Sequence, residues 1–274
     1  MIDQILNYLS YDFVRNALVA GTMAAVLGAI VGYFVVIRNV GFAAHALSHI
    51  GFAGATGAAL LGLSPLSGML FITVGAGFII GISGDKIHRS EMAIGMALSV
   101  SLGLGTLFLS LYTGYAGQAM AILLGNILGV SSNQITHMIV LSLLSLGGLA
   151  IFSRKLLFAS IQPALAEARG LSLPLLSTAF MVVLALSVTL ASQIVGILLV
   201  FTLVIAPAGI ALRLCRSFWL GIITSIIIAV VAVWIGILLA CLTDRPVTFW
   251  ITSLLFGLYA LTEAWCRLFT KSDR

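Results

Sequence analysis

The feature that most constrains this chain is a series of apolar stretches, each about 20 residues long, that recurs from Asn16 to Trp265. Each stretch is long enough to span about 30 Å of hydrocarbon as a helix, and backbone groups in lipid must hydrogen-bond within their own segment. Only 8% of the residues are charged, whereas a soluble domain has about 25%. The sequence therefore predicts an all-α, polytopic membrane protein with one transmembrane domain over residues 1–274.

The polar residues that separate these stretches predict eight or nine transmembrane helices. The predicted spans are Asn16–Ile37, Gly41–Leu61, Leu66–Ile82, Glu91–Tyr112, Ile135–Phe152, Leu171–Ala191, Ile194–Leu214, Phe218–Leu242 and Val247–Trp265. The apolar piece Met120–Val130, at about 11 residues, is too short to span upright, so it is predicted to be re-entrant. Two glycine pairs, Gly28/Gly32 and Gly77/Gly81, have the spacing of closely packed transmembrane helices.

The basic residues predict the orientation of the chain in the membrane. With the N-terminus outside and a re-entrant Met120–Val130, all Lys and Arg residues except Arg15 and Arg245 fall on the cytoplasmic side. Cytoplasmic loops carry the excess of Lys and Arg in membrane proteins. We therefore expect an outside N-terminus and a cytoplasmic C-terminus.

Two histidines inside the second span are the main candidates for chemistry. His45 and His49 are four residues apart, so on a helix they share one face, about 6 Å apart along the axis. Ionisable groups at membrane depth mark functional sites, and imidazole is a common ligand of transition metals. The spacing predicts a metal site at His45 and His49, left incomplete so that an ion can be released. Ser48, Thr56 and Asn126 are further polar groups that could line the ion path.

Other function classes have weaker support in the sequence. Gly81-Ile82-Ser83-Gly84 matches the GxSG motif of intramembrane serine proteases, but no histidine is clearly placed to activate Ser83. Neither HExxH nor GxxxxGK[ST] occurs, so the chain has no metalloprotease or ATP-binding motif of these kinds. The residues alone leave open a metal channel or secondary carrier that works without ATP and, less favoured, a hydrolase that uses Ser83.

Several segments, in order along nearly the whole chain, resemble the bacterial metal-uptake ABC permeases of the zinc/manganese/iron type. Arg38 followed by the run Phe42–His49 is similar to the signature of their second helix. Leu124–Ser131 resembles the short element after their fourth span, and Gln162–Leu171 resembles their cytoplasmic loop. Val195–Val200, running on to Pro207, resembles their seventh span, where Pro207 is expected to break the helix.

The resemblance implies a transport subunit, not an enzyme, in a bacterial plasma (inner) membrane. It implies a homodimeric permease, a separate ABC ATPase subunit that hydrolyses ATP, and an extracytoplasmic solute-binding protein that delivers the ion. No cofactor is expected to stay bound, and the divalent metal is the cargo. The cytoplasmic loop, about residues 154–171, is implied to couple to the ATPase, through Gln162, Glu167, Arg169 and Gly170.

The chain departs from the family pattern at the metal ligands. The family's aspartate and histidine fall on His45 and His49, so His45 stands where the family has a carboxylate. Gln162 likewise stands where the family loop often has an acid. Because two neutral nitrogen donors are softer than an oxygen and a nitrogen, they favour zinc over manganese. Zinc is therefore the expected cargo, with manganese and iron left open.

Overall fold

The structure, a computed structural model, describes residues 10–83, 91–112 and 125–270. These residues form ten α-helices and one short 3₁₀ turn, and contain no β-strand. In chain order the helices are α1 (Asp12–Ile37), α2 (Gly41–Leu60), α3 (Pro65–Ile82), α4 (Glu91–Leu111), α5 (Ser132–Ile161), α6 (Pro163–Ala168), α7 (Leu173–Val195), α8 (Ile197–Leu214), α9 (Phe218–Thr243) and α10 (Val247–Thr270). The 3₁₀ turn, Ile127–Gly129, precedes α5.

The prediction of an all-α membrane bundle is confirmed. Eight of the described helices are long and apolar enough to cross a membrane, namely α1, α3, α4, α5, α7, α8, α9 and α10. Helix α2, with 20 residues, reaches about 30 Å and is also long enough. It is not among the eight, and it carries two histidines and several glycines.

Helices α1 and α7 form the centre of the bundle. Helix α1 packs against α7, α8 and α9, and α7 also packs against α3 and α5. Large side chains on both helices, including Phe34 and Phe180, are fully buried. Helix α2 lies between α3 and α4 at one side of this centre.

Glycines set the close approach of the helices, as their spacing predicted. A methyl group at Gly32 would overlap the backbone carbonyl of Val204 on α8. A methyl group at Gly77 on α3 would lie 2.8 Å from the Met181 carbonyl oxygen on α7, and one at Gly81 would overlap the backbone of Thr178. Small residues allow this backbone contact, which holds membrane helices together by packing.

The long helices alternate in direction between two ends of the bundle. The end that carries Arg38, Arg213 and Arg267, here called the basic end, holds the last residues of α1, α3, α5, α8 and α10. The opposite end, here called the far end, carries Arg15 and Arg245.

The chain makes no net crossing between the end of α4 and the start of α5. Helices α2 and α4 run parallel, since Gly95 lies beside Phe42 and Gly57 lies beside Phe108, so α4 ends at the far end. The Asn16 amide donates to the carbonyl of Val130, which places Val130 at the far end as well. The chain thus leaves and returns at one end, as expected for a re-entrant piece. Residues 113–124 lie outside the described ranges.

Helix α5 corrects the predicted end of the fifth span. It continues through Arg154 and Lys155 to Ile161 and has 30 residues, which is about 45 Å. Basic side chains mark where a helix leaves the lipid, but they are good helix formers and need not end it. Much of the segment 154–171, expected as a loop, is consequently helical.

Pro207 does not end the seventh span, which is a second correction. Helix α8 is continuous from Ile197 to Leu214 with Pro207 inside it. Proline is tolerated in membrane helices where neighbouring helices surround the interrupted hydrogen bond, and Pro207 is buried. The break lies instead at Gly196, whose φ of 81° separates α7 from α8.

Candidate metal site

His45 and His49 form a pair of imidazoles on one face of α2. Their ring centroids are 4.7 Å apart and the rings are nearly perpendicular, at 84°. His49 is only 7% exposed, and His45 is half-buried. The Nδ1 atoms of both rings are buried and have no hydrogen-bond partner among the described residues. Buried polar atoms are usually satisfied, so two unsatisfied nitrogens one turn apart make this face a candidate for ligand binding.

The packing of α2 holds these rings in place. A methyl group at Gly51 would lie 2.8 Å from the Thr73 hydroxyl oxygen, and one at Gly54 would lie 2.6 Å from the Gly68 carbonyl oxygen. On the opposite side, Phe52 packs directly against Gly105 of α4. These contacts leave α2 little freedom to move relative to α3 and α4, so the direction of its histidine face is set.

An aromatic ring from another helix covers His45. The ring centroid of Phe201 on α8 lies 4.8 Å from that of His45, in an edge-on arrangement of 64°. Phe201 follows the break at Gly196 by a little more than one turn. Sequence reasoning did not single out Phe201, because nothing in an apolar span distinguishes one phenylalanine from another.

Ser48 and Thr56 lie on the same helix as the histidines but use their hydroxyl hydrogens locally. Ser48 Oγ donates to the His45 carbonyl oxygen at 2.6 Å, and Thr56 Oγ1 donates to the Phe52 carbonyl oxygen at 2.9 Å. Both hydroxyls are buried and retain lone pairs. Ser48 adjoins the pair, whereas Thr56 is seven residues beyond His49, about 10 Å nearer the far end.

Asn126 does not join the histidines. It precedes the 3₁₀ turn at the far end and packs against Gly129. The adjacent Gly125 approaches the backbone of Val195 and Gly196, at the break between α7 and α8. Asn126 is therefore a far-end residue, separated from the pair along the bundle.

No third strong ligand accompanies the pair in the part of the chain that the structure describes. No group of three His, Cys, Asp or Glu residues able to hold a metal occurs there. His137 is exposed in the first turns of α5 at the far end. His88, in a segment with Lys86 and Arg89, lies outside the described residues. Two ligands hold an ion less firmly than the four usual in structural zinc sites.

Thr73 is a buried polar residue that the sequence did not indicate. Its hydroxyl oxygen is fully buried, has no hydrogen-bond partner in the described ranges and faces Gly51, two residues after His49. A hydroxyl within an apolar span is common and usually bonds to its own helix. Only the packing of α3 on α2 shows that this one adjoins the histidine helix.

The residues expected to couple to an ATPase lie together at the basic end. Gln162 separates α5 from α6, and Gly170, with a φ of 77°, follows α6. Gln162, Glu167, Arg169 and Gly170 are all exposed, whereas Ala166 is fully buried and anchors α6 to the bundle. This short exposed helix has the form of a docking element.

Arg38 joins the end of α5 to the start of α2. Its Nη1 donates to Ser160 Oγ at 3.3 Å, near the end of α5, and its guanidinium carbon lies 5.5 Å from the centre of the Phe180 ring. Arg38 and Glu167 both line a cavity of about 340 Å³ at the basic end. The turn from Arg38 to Val40 leads directly into α2.

Ser83 has the position of a helix-ending residue. It caps the last turn of α3, and its hydroxyl donates to the Ile79 carbonyl oxygen at 2.8 Å. This bond within the helix supplies no general base for a nucleophile.

Comparisons with known proteins agree on one family of membrane transport proteins. The model of a family described as the ABC 3 transport family matches residues 10–265. The manganese transport system membrane protein MntC of Listeria monocytogenes is 27% identical over 230 residues, which cover 84% of this chain and 82% of that protein. The manganese import system permease protein ScaB of Streptococcus gordonii is 30% identical over 227 residues, covering 82% of this chain and 81% of ScaB.

A third relative and a solved structure extend this picture. A protein named "Probable iron transport system membrane protein" from Haemophilus influenzae is 28% identical over 243 residues, covering 85% of this chain and 88% of its own. The structure of PsaBC from Streptococcus pneumoniae in complex with Fab is similar with a TM-score of 0.85 and 25% identity, covering 96% of this chain and 95% of that one.

Proposed function

Because the chain belongs to the ABC 3 transport family, we propose that it is the membrane permease of an ATP-driven importer of divalent transition-metal ions. The observation that carries this proposal is the pair of buried, unsatisfied imidazole nitrogens at His45 and His49 inside a transmembrane bundle. Such a pair can bind a metal transiently without a full coordination shell. The names of the relatives, which specify manganese or iron transport, support a metal cargo.

Three partners belong to this proposal. A separate ABC ATPase hydrolyses ATP, a solute-binding protein delivers the ion from outside, and a second copy of the chain completes the path. The ATPase docks on α6, whose exposed residues include Glu167 and Arg169. Its closure moves α6 and, through Ser160 and Arg38, the start of α2. This contact supports a mechanical link from the ATPase to the helix that bears the histidines.

The basic end is the cytoplasmic end in this proposal. Of the basic residues that the structure describes, only Arg15 and Arg245 lie at the far end. The positive-inside rule then assigns the far end to the outside. The ion enters past the far end, contacts His49 and His45 in turn, and leaves at the basic end beside the docking element.

The donor atoms favour zinc as the cargo. Two imidazoles offer soft neutral nitrogens, whereas manganese prefers carboxylate oxygens. The manganese and iron named for the relatives are the competing choices, and the solute-binding protein contributes to selection. The proposal therefore covers divalent first-row metals, with zinc preferred by the pair itself.

Reconstitution in liposomes tests the function class. The chain is incorporated with its ATPase and solute-binding protein, and uptake of radioactive zinc, manganese and iron is followed with and without ATP. We expect uptake only when both partners and ATP are present. Equal metal flux through the chain alone, without ATP, would instead identify a channel or secondary carrier.

A further inference from the structure

A second feature adjoins the histidine pair: an open cavity of about 800 Å³ along α8 and α10. Four of its lining residues recur every fourth position on α8, so they form one stripe that runs from the level of the histidines to the basic end. These residues are Phe201, Ile205, Gly209 and Arg213. The position of Ile205, beside Gly41 at the start of α2, confirms that the stripe descends toward the basic end.

Phe201 lies between this cavity and the metal site. Phe201 lines the part of the cavity that is nearest the far end, and its ring also contacts His45 at a centroid distance of 4.8 Å. Neither His45 nor His49 lines the cavity. In the conformation described, the Phe201 ring thus lies at the boundary between the histidine face and the cavity.

The walls of the cavity suit the passage of an ion without retaining it. Its polar groups on α8 and α10 are the hydroxyls of Thr202, Thr252, Ser253 and Tyr259, with Arg213 at the basic end. Arg213 is paired with Glu263, which also accepts from Arg267 Nε at 2.9 Å, so two guanidiniums share one carboxylate. No carboxylate or imidazole lines this cavity, and conduction requires sites weak enough for the ion to leave.

We propose that Phe201 is the gate through which the His45/His49 pair exchanges its ion with the cavity at the basic end. The inference rests on the proposed metal-permease function. The ring closes the route while it lies against His45, and opens it when α8 moves or the side chain changes rotamer. Because the ring offers no ligand atom to the ion, it sets how fast the ion moves and leaves the stability of the bound state unchanged.

The test measures both rates of metal exchange at the pair. The purified permease–ATPase complex is mixed with Zn²⁺, and the association rate and the release rate into excess EDTA are recorded without ATP. In F201A we expect both rates to rise by about tenfold with the dissociation constant unchanged, the behaviour of a removed gate. Phe71→Ala, at an exposed position on α3, is the matched control and should keep the parental rates.

Two results would contradict the role of Phe201 as a gate. Unchanged exchange rates in F201A, or a faster release matched by an equal loss of affinity, would overturn the gate. If F201A does not form the complex, F201L decides the question, because leucine keeps apolar bulk without a ring. For F201L we expect a several-fold rise in both exchange rates. Failure of the proposed function gives a different result. In that case the parent and the H45A/H49A variant would bind zinc equally well or not at all.

Discussion

At the scale of single residues, the identity of the side chain at position 45 determines the chemistry of the pair. His45 and His49 present nitrogen donors whose rings are 4.7 Å apart, and no acidic residue joins them to form a three-residue group within the described ranges. The pair therefore brings no negative charge to offset a divalent cation. That absence of charge is the main chemical difference from an aspartate–histidine pair.

Replacing His45 by aspartate should move the preference from zinc toward manganese. The carboxylate supplies a hard oxygen and one negative charge, both of which manganese favours. We expect the ratio of manganese to zinc uptake to rise by about tenfold, which corresponds to about 1.4 kcal/mol between the two ions. Competition uptake with both isotopes in one assay measures this ratio. An unchanged ratio would assign selectivity to the solute-binding protein.

At the scale of helices, backbone contact at glycines joins α1 to α8. Gly32 meets the Val204 carbonyl directly, whereas a methyl group at Gly28, one turn earlier, would lie 3.5 Å from a Val204 methyl group. The two glycines thus form a matched pair of sites on one helix face. Only Gly32 lacks room for a side chain.

Gly32→Ala should destabilise the bundle and Gly28→Ala should be tolerated. Since the added methyl at position 32 meets backbone and not a mobile side chain, we expect a loss of about 1–3 kcal/mol or more. Thermal unfolding in detergent, followed by tryptophan fluorescence, gives the comparison. Equal melting temperatures for the two variants would mean that this helix contact contributes little.

Arg38 belongs to the same scale, because it joins the end of α5 to the start of α2. Arg38→Gln removes the positive charge and the guanidinium group that donates to Ser160 Oγ. We expect ATP hydrolysis to persist while metal transported per ATP falls several-fold, and Arg38→Lys to restore part of it. Measuring both activities in the same liposomes tests this. Arg245→Gln, exposed at the far end, is the control and should leave the ratio intact. A parallel loss of both activities in R38Q would show a structural role only.

At the scale of the whole molecule, the apolar pattern predicts the architecture better than it predicts the site. The bounds of α2, α3 and α9 follow from apolar runs to within one residue, because lipid requires such runs. The histidine pair was equally visible, since four-residue spacing defines one helix face. The continuation of α5 past Arg154 was not predicted, because a charge marks the membrane boundary and not the helix end. The contact of Phe201 with His45 depends on tertiary packing between distant segments.

The two ends of the bundle should face opposite sides of the membrane as the basic residues indicate. Cys215, Cys241 and Cys266 are the only cysteines, and all three can be changed to serine to give a background without thiols. A cysteine introduced at exposed Arg245 should then react with an impermeant maleimide added to intact cells, and one at exposed Arg216 should react only after lysis. The reverse pattern would invert the proposed orientation.

The central claim is that the ion crosses the membrane by way of His45 and His49. The most direct measurement is ATP-driven zinc uptake by liposomes that contain the complete transporter with the H45A/H49A permease. His137→Ala, which removes an exposed histidine at the far end, serves as the control. We predict that the double variant assembles with its partners yet loses at least about 90% of uptake, a reduction of roughly tenfold, while H137A keeps it. Parental uptake by the H45A/H49A variant would contradict the account.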